Sequence, residues 1–204
     1  MIKITKVSVY NFENAIRGMR NPMKSWDKND SCYDSSGSYI FGKNDLELAK
    51  KLCRAGSDHR KFMRQIFVSA DILAPLYWWK EFDTYKVGTA TNSTSTMHKI
   101  HAQKFELDDF SHDMLDGDGI EVLLYIINAL EKARESYNTT KNISDWYKMI
   151  QLLPSSYNQL RTCTVSYENL INMYGSRKTH KLHEWREFCG WIAELPYASE
   201  LICF

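Results

Sequence analysis

Small hydroxyl side chains fill the stretch YKVGTATNSTSTMHK, residues 85–99. Gly88 and the short side chains around it leave backbone N–H groups and hydroxyl donors open to a phosphate. Lys86, just before the run, supplies a compensating positive charge. Neither G-x-x-x-x-G-K nor G-x-G-x-x-G occurs, so this is not one of the standard nucleotide-binding loops. The chemistry suits a phosphate-binding segment, but an ordinary solvated Ser/Thr loop is the commoner origin of such a run, and both interpretations stay open.

Basic side chains are concentrated in DHRKFMRQ, residues 58–65, immediately before a predicted strand. Guanidinium groups such as those of Arg60 and Arg64 bind phosphate oxygens in pairs. The cluster therefore has the chemistry to hold a diphosphate, and a solvated turn is the alternative. His180, His183 and Glu184 are spaced generically and lack a convincing third ligand, so we predict no metal site.

Composition argues against a general attraction to polyanions. The chain has 204 residues with 26 basic and 25 acidic side chains, a net charge of +1. Any anion site must therefore be local, and we expect neither nucleic acid nor a membrane as a partner. Five cysteines without a C-x-x-C pair indicate reduced thiols. With no signal peptide and no apolar run long enough to span a bilayer, we predict a cytoplasmic protein.

Hydrophobic periodicity predicts the elements that must position these residues. ITKVSVY and RTCTVSY alternate as strands, and QIFVSADIL places Ile66, Val68, Ala70 and Ile72 on one apolar face. Further β pairing is expected around YIFG. The remaining periodic segments predict helices, in NFENAIRGM, LELAKKLCRAG, LYWWKEFDTY, IEVLLYIINALEKARESY, DWYKMIQLL, NLINMYGSR and HKLHEWREFCGWIAEL. We therefore predict an α+β fold, with helices packed on a small central sheet and a single domain over residues 1–204.

Two of the predicted helices carry specific expectations. In LELAKKLCRAG, Leu48, Leu52 and Ala55 share the face expected to be buried. In the helix after Pro75, the aromatic side chains surround much of the circumference. One face should pack in the core while the other meets a ligand ring or a second subunit, and packing in the core alone is the alternative.

Two long segments resemble the motif regions of the flavin-dependent thymidylate synthases, in the same order along the chain. HRKFMRQIFVSADILAPLYWWKEFDTYKVGTATNSTSTMHK follows the region with R-H-R, a short spacer and S-x-N-E-x-S-x-R, with at most one inserted residue. TVSYENLINMYGSRKTHKLHEW follows the region T-V-N-x-R-x-L-x-N-x-x-x-x-R. Together they cover 63 of the 204 residues of the chain.

The resemblance implies functional roles at the matching positions. His59 stands at an upstream His near flavin and nucleotide, and Arg177 at a nucleotide-binding Arg. The substrate-binding residues it implies are Lys86, Asn92, Ser93, Ser95 and Arg177. The cofactor-binding residues it implies are His59, Lys86, Ser166 and Asn172. No metal ligand and no catalytic residue is assigned.

Several positions depart from the family pattern. Thr84 and Tyr85 stand where the family has Arg and His, and Glu168 stands at a flavin-contacting Arg. The other replacements are Ser93 for Glu, Met97 for the final Arg, Ser166 for Asn and Ile150 for a substrate-binding Arg. These replacements remove charge-assisted interactions with phosphate, and each such interaction is typically worth about 1.5–3 kcal/mol.

The resemblance implies reductive methylation of a dUMP-like pyrimidine deoxynucleotide to dTMP. FAD would pass hydride, methylenetetrahydrofolate would give the carbon and NADPH would be a co-substrate, with no covalent enzyme nucleophile. It also implies a homo-oligomer, a tetramer with sites formed between subunits. Two alternatives remain: a nucleotide-binding or scaffolding protein without the flavin chemistry, and an enzyme that modifies a different pyrimidine nucleotide.

Overall fold

A computed structural model describes residues 2–204. Its strands are β1 (Lys3–Tyr10), β2 (Cys32–Tyr33), β3 (Tyr39–Ile40), β4 (Phe67–Pro75), β5 (Ala90–Ser93) and β6 (Asn158–Ser166). Four of them form a sheet in the order β1-β4-β6-β5, and β2 pairs with β3 in an antiparallel ribbon.

Helices account for most of the remaining chain. They are α1 (Phe12–Met19), α2 (Lys43–Arg54), α3 (Leu76–Phe82), α4 (Gly117–Thr140), α5 (Ile143–Leu152), α6 (Tyr167–Arg177), α7 (His183–Ala193) and α8 (Ala198–Leu201). Single 3₁₀ turns lie at Asn21–Met23, Trp26–Lys28, Lys61–Gln65 and Leu107–Asp109. None of the helices within residues 2–204 is both long enough and apolar enough to cross a membrane.

The predicted α+β class is confirmed, and the periodic segments form the expected elements. In β4, Val68, Ala70 and Ile72 are buried, as the two-residue alternation predicts. On the other face the Ser69 hydroxyl lies 2.7 Å from the Thr164 hydroxyl of β6. The short α8 has no strong apolar period and was not predicted.

The buried face of α2 differs from the predicted one. Asp45, Ala49 and Cys53 are buried, the predicted Leu48 and Leu52 are half-buried, and Ala55, just beyond the helix, is exposed. The Asp45 carboxylate lies inward and accepts a 2.6 Å hydrogen bond from Arg20 Nε. The buried face therefore includes a charged residue that hydrophobicity alone does not select. Gly56 follows the helix with a positive φ of 102°, as expected for a residue that ends a helix.

Part of the hydroxyl-rich run is a strand and not a loop. Ala90–Ser93 form β5 beside β6. The next residue, Thr94, extends the contact with β6, because its N–H donates to Leu160 O at 2.9 Å. Thr and Ser side chains fit an exposed strand, so the run does not need a loop conformation. In α3, Trp78, Trp79 and Phe82 are buried in the core, whereas Tyr77 is half-buried.

The chain groups into two compact units. The first comprises residues 2–4, 72–84 and 92–162, and the second comprises residues 5–71, 85–91 and 163–204. The first has an apolar core of Ile100, Phe105, Phe110, Leu123, Ile127, Leu130, Ala133 and Met149. In the second, the ring of Phe12 packs edge-on against the rings of Phe41, Tyr167 and Tyr197. A single domain over residues 1–204 stays a prediction.

Candidate functional site

The start of α6 is fixed by a reciprocal cap. Ser166 Oγ accepts from the Asn169 N–H at 3.2 Å, and Asn169 Oδ1 accepts from the Ser166 N–H at 3.0 Å. The Ser166 hydroxyl also donates to Asn169 Oδ1 at 2.6 Å. This is the capping arrangement expected of a Ser before a helix, with Asn in place of the usual Glu or Gln. Ser166, predicted to bind cofactor, therefore holds the helix start.

The loop 85–89 binds α6 through the same asparagine. Asn169 Nδ2 donates to Val87 O at 2.6 Å. Gly88 has φ +74°, and a Cβ at this position would lie 3.2 Å from Asn169 Oδ1. The left-handed backbone and this close approach both favour glycine here. The predicted ligand Lys86 is therefore carried, exposed, on a loop that is fixed to α6.

Arg60 joins a third segment to α6. Its Nε and Nη2 atoms donate to the two Glu168 carboxylate oxygens at 2.8 and 3.2 Å, in a bidentate pair. Nη2 also lies 3.2 Å from Asn172 Oδ1. A guanidinium thus lies beside Glu168, where the family resemblance implies an Arg side chain. His59 is exposed and directly precedes Arg60 in the chain, so it belongs to the segment that Arg60 joins to α6.

Arg177, at the end of α6, is held between two aromatic rings. Its Nε donates to the Tyr85 hydroxyl at 2.9 Å, and its guanidinium carbon lies 4.8 Å from the centroid of the buried Trp185 ring. The Tyr85 and Trp185 rings themselves meet edge-on at 6.1 Å. A guanidinium fixed in this way loses little further entropy when it binds a phosphate or carbonyl oxygen.

Five residues selected from the sequence therefore converge along one helix of the second unit: His59, Lys86, Ser166, Asn172 and Arg177. They come from three separate segments, and we call this group the α6 cluster. Sequence reasoning did not assign its partners, which are Arg60, Tyr85, Glu168, Asn169 and Trp185. Only Arg60 had a local signal, in the basic run 58–65, since the other pairings depend on tertiary contact.

The remaining predicted ligands, Asn92, Ser93 and Ser95, lie in the first unit. Ser95 Oγ accepts from the N–H groups of Met97 at 3.2 Å and His98 at 2.9 Å. A hydroxyl has two acceptor positions and one donor, so this turn leaves the Ser95 O–H as a donor. The segment is held on both sides, because Gln159 Nε2 donates to Thr94 O at 2.7 Å and Trp146 Nε1 donates to Met97 O at 3.1 Å.

Ser95 lies at the rim of a cavity of about 470 Å³. Thr94, Lys99 and Lys104 share this rim, and Phe105 and Tyr157 form an aromatic wall. The volume of this cavity is typical of a small-ligand site. Burial and, second, the Asp109 carboxylate raise the pKa of Tyr157, so the phenol stays protonated at neutral pH.

Two buried cysteines, Cys53 and Cys189, are poor nucleophiles. Burial raises the pKa of Cys53 to about 12 and that of Cys189 to about 11, which keeps both thiols protonated at neutral pH. Among residues 2–204, no three His, Cys, Asp or Glu side chains group closely enough to hold a metal ion.

The contact between Gly88 and Asn169 leads to a stability prediction. Gly88→Ala should weaken the attachment of the loop to α6 and destabilise the protein by about 1–2 kcal/mol, from left-handed strain together with the 3.2 Å contact. Gly37→Ala is the matched control, because Gly37 also has positive φ, 83°, but nothing lies within 4 Å of its added Cβ. Urea unfolding of both variants measures the difference. Equal decreases in stability would show that the contact contributes nothing.

No protein-family model matches this sequence, and no curated protein sequence matches it. Solved structures do match it. Thymidylate synthase X (ThyX) from Helicobacter pylori, with FAD and dUMP, has a TM-score of 0.69 at 17% identity, over 99% of this chain and 97% of that chain. Flavin-dependent ThyX from Helicobacter pylori, complexed with FAD and dUMP, has a TM-score of 0.67 at 18% identity, over 97% and 98% of the two chains.

A UMP/dUMP methylase, PolB from Streptomyces cacaoi, bound with 5-Br dUMP, also matches. Its TM-score is 0.59 at 15% identity, over 94% of this chain and 88% of that chain. These similarities extend over nearly the whole of each chain. At such identities they show the fold, and the resemblance predicted from the sequence is confirmed at that level.

Proposed function

Because this chain has the fold of the flavin-dependent thymidylate synthases, we propose that it binds a dUMP-like pyrimidine deoxynucleotide and FAD for reductive methylation. The observation that carries the proposal is the convergence of the α6 cluster. Residues 166, 172 and 177 lie along α6 itself, and hydrogen bonds of the neighbouring Arg60, Tyr85 and Val87 bring the segments that carry residues 59 and 86 to the same helix. Substrate-binding roles are proposed for Lys86 and Arg177 in the second unit, and for Asn92, Ser93 and Ser95 in the first.

The donors of the α6 cluster fit FAD. His59, Lys86 and Asn172 are exposed, and Arg60 presents a guanidinium whose position is fixed by Glu168. Imidazole, ammonium, amide and guanidinium N–H groups are the donors that a diphosphate and flavin carbonyl oxygens accept from. Ser166 would act by holding the helix start. When bound, FAD supplies the hydride for methylation, with NADPH as reductant and methylenetetrahydrofolate as carbon donor.

A second candidate function is nucleotide binding or scaffolding without flavin chemistry, and Glu168 favours it. Its carboxylate offsets the positive charge of Arg60 at a position where the resemblance implies an added cation. A cluster with less positive charge should hold the FAD diphosphate less tightly. A further possibility is that the altered cations select a different pyrimidine nucleotide.

Purification distinguishes these candidates. We expect protein that is yellow, or that turns yellow with FAD and keeps the flavin through gel filtration, and that binds dUMP in calorimetry. Lys86→Ala should lower FAD or dUMP affinity about tenfold or more, the effect of one charge-assisted contact. Lys51→Ala, at an exposed position on α2, is the control. Colourless protein that does not bind FAD but binds dUMP would support the second candidate. Protein that binds neither FAD nor dUMP would overturn both candidates.

We also propose that the protein is a homo-oligomer, a tetramer as in the family it resembles. Large apolar side chains on α4 are exposed, with Val122 61% and Tyr125 77% accessible, and subunit contact would cover such side chains. A monomeric mass in light scattering would contradict this.

A further inference from the structure

The cavity beside Ser95 contains cations that no motif predicts. Lys99 and Lys104 line it together with Thr94 and Ser95, all within the first unit. Both lysines are exposed, so their ammonium groups can reach a ligand at the cavity mouth. We propose that this cavity binds the nucleotide as a nucleoside monophosphate, with Lys99 and Lys104 supplying the cations for its phosphate. The inference rests on the proposed function, because it assigns further residues to the same ligand.

Donor chemistry at the rim suits a phosphate. The Ser95 hydroxyl is a donor because its acceptor positions receive the Met97 and His98 N–H groups. Two ammonium groups add charge, and a phosphate monoester carries about −1.5 to −2 at neutral pH. Asp109 is the opposing carboxylate in the lining, and its Oδ2 accepts from the Glu106 N–H at 2.9 Å. The lining therefore keeps a net positive charge.

Lys104 has a further acidic neighbour outside the cavity. Its charge contributes to the lowered pKa of Glu131, although the hydrogen bond from Arg134 is the largest cause. The Glu131 carboxylate already has other partners, since it pairs with Arg134 and accepts a hydrogen bond from the Phe105 N–H at 3.1 Å. Lys104 thus remains a cation for the cavity.

The half-buried ring of Tyr157 supplies the surface for a base. Phe105 is 4% exposed and belongs to the core of the first unit, so it backs the aromatic wall and is fixed by packing. Tyr157 packs edge-on against Phe110 with the ring centroids 5.6 Å apart. Its backbone is held because Tyr157 O accepts from the Leu76 N–H at 3.0 Å. A pyrimidine ring that packs on this wall would place its phosphate toward the hydroxyl and lysine rim.

Titrating dUMP, deoxyuridine and inorganic phosphate into the full-length protein and its variants tests the inference. Lys99→Gln and Lys104→Gln should each weaken dUMP binding about tenfold and leave deoxyuridine affinity unchanged, because deoxyuridine lacks the phosphate. Lys80→Gln, at an exposed position on α3 of the same unit, is the matched control. Unchanged melting temperatures would show that each variant is folded.

The outcomes separate this inference from the proposed function. If Ser95→Ala weakens dUMP binding and the two lysine variants bind like wild type, the lysine assignment is wrong while the proposed function stands. If inorganic phosphate binds as tightly as dUMP, the aromatic wall contributes nothing and the cavity is only a phosphate site, which overturns the nucleotide assignment. If wild-type protein does not bind dUMP at all, both proposals fail.

Discussion

Arg177→Ala is expected to weaken dUMP binding about 10- to 100-fold, which corresponds to the removal of one strong charge-assisted interaction. The size of the effect follows from how the guanidinium is held. The Tyr85 hydroxyl fixes Nε at 2.9 Å and the Trp185 ring lies 4.8 Å from the guanidinium carbon, so the cation is pre-organised. Isothermal titration calorimetry at fixed ionic strength measures the decrease in affinity.

Two further variants make this result specific to the α6 cluster. Tyr85→Phe keeps the ring and removes the hydroxyl acceptor, so we expect a smaller decrease in dUMP affinity than in Arg177→Ala. Arg54→Ala is the matched arginine control, because Arg54 is exposed on α2 and contacts the Phe204 ring at 5.6 Å. Wild-type dUMP affinity in a folded Arg177→Ala protein would remove Arg177 from the proposed site.

Asp45→Ala is expected to have the largest effect on stability, about 3–5 kcal/mol of unfolding free energy. Asp45 is fully buried and Arg20 is 3% exposed, so the substitution leaves a buried guanidinium without its carboxylate. Besides the hydrogen bond from Arg20, the Asp45 carboxylate accepts three others. They come from the Asp30 N–H at 3.1 Å, the Ser31 N–H at 3.0 Å and the Ser31 hydroxyl at 2.6 Å. These hydrogen bonds hold the segment between α1 and α2.

Glu47→Ala, on the same helix, is the control for Asp45→Ala. Glu47 pairs with Lys50 at 2.8 Å, but its side chain is 63% exposed, and such surface pairs contribute less than about 1 kcal/mol. Urea unfolding of both variants gives the comparison. If the two midpoints shift equally, the buried ion pair does not contribute as we expect.

The strands and helices show most clearly which features of the fold can be predicted from the sequence. The two-residue period of β4 and the apolar period of α4 depend only on which face of a short segment is buried. Both elements were therefore predictable from their own residues. In α2 the same reasoning selected Leu48 and Leu52, which are half-buried, but missed the fully buried Asp45, because Asp45 pairs with Arg20, 25 positions away. Hydrophobic periodicity carries no information about such a partner.

The sequence by itself determined the α+β class, the places of most elements and the residue types that could contact an anionic nucleotide. Tertiary structure alone decided which of those residues meet: Arg60 reaches Glu168 across 108 positions, and Tyr85 reaches Arg177 across 92. Backbone periodicity is set by neighbours within a few residues, so local residues are enough to predict it. Contacts between distant side chains exist only after the elements pack together, and for that reason they became visible only in the folded chain.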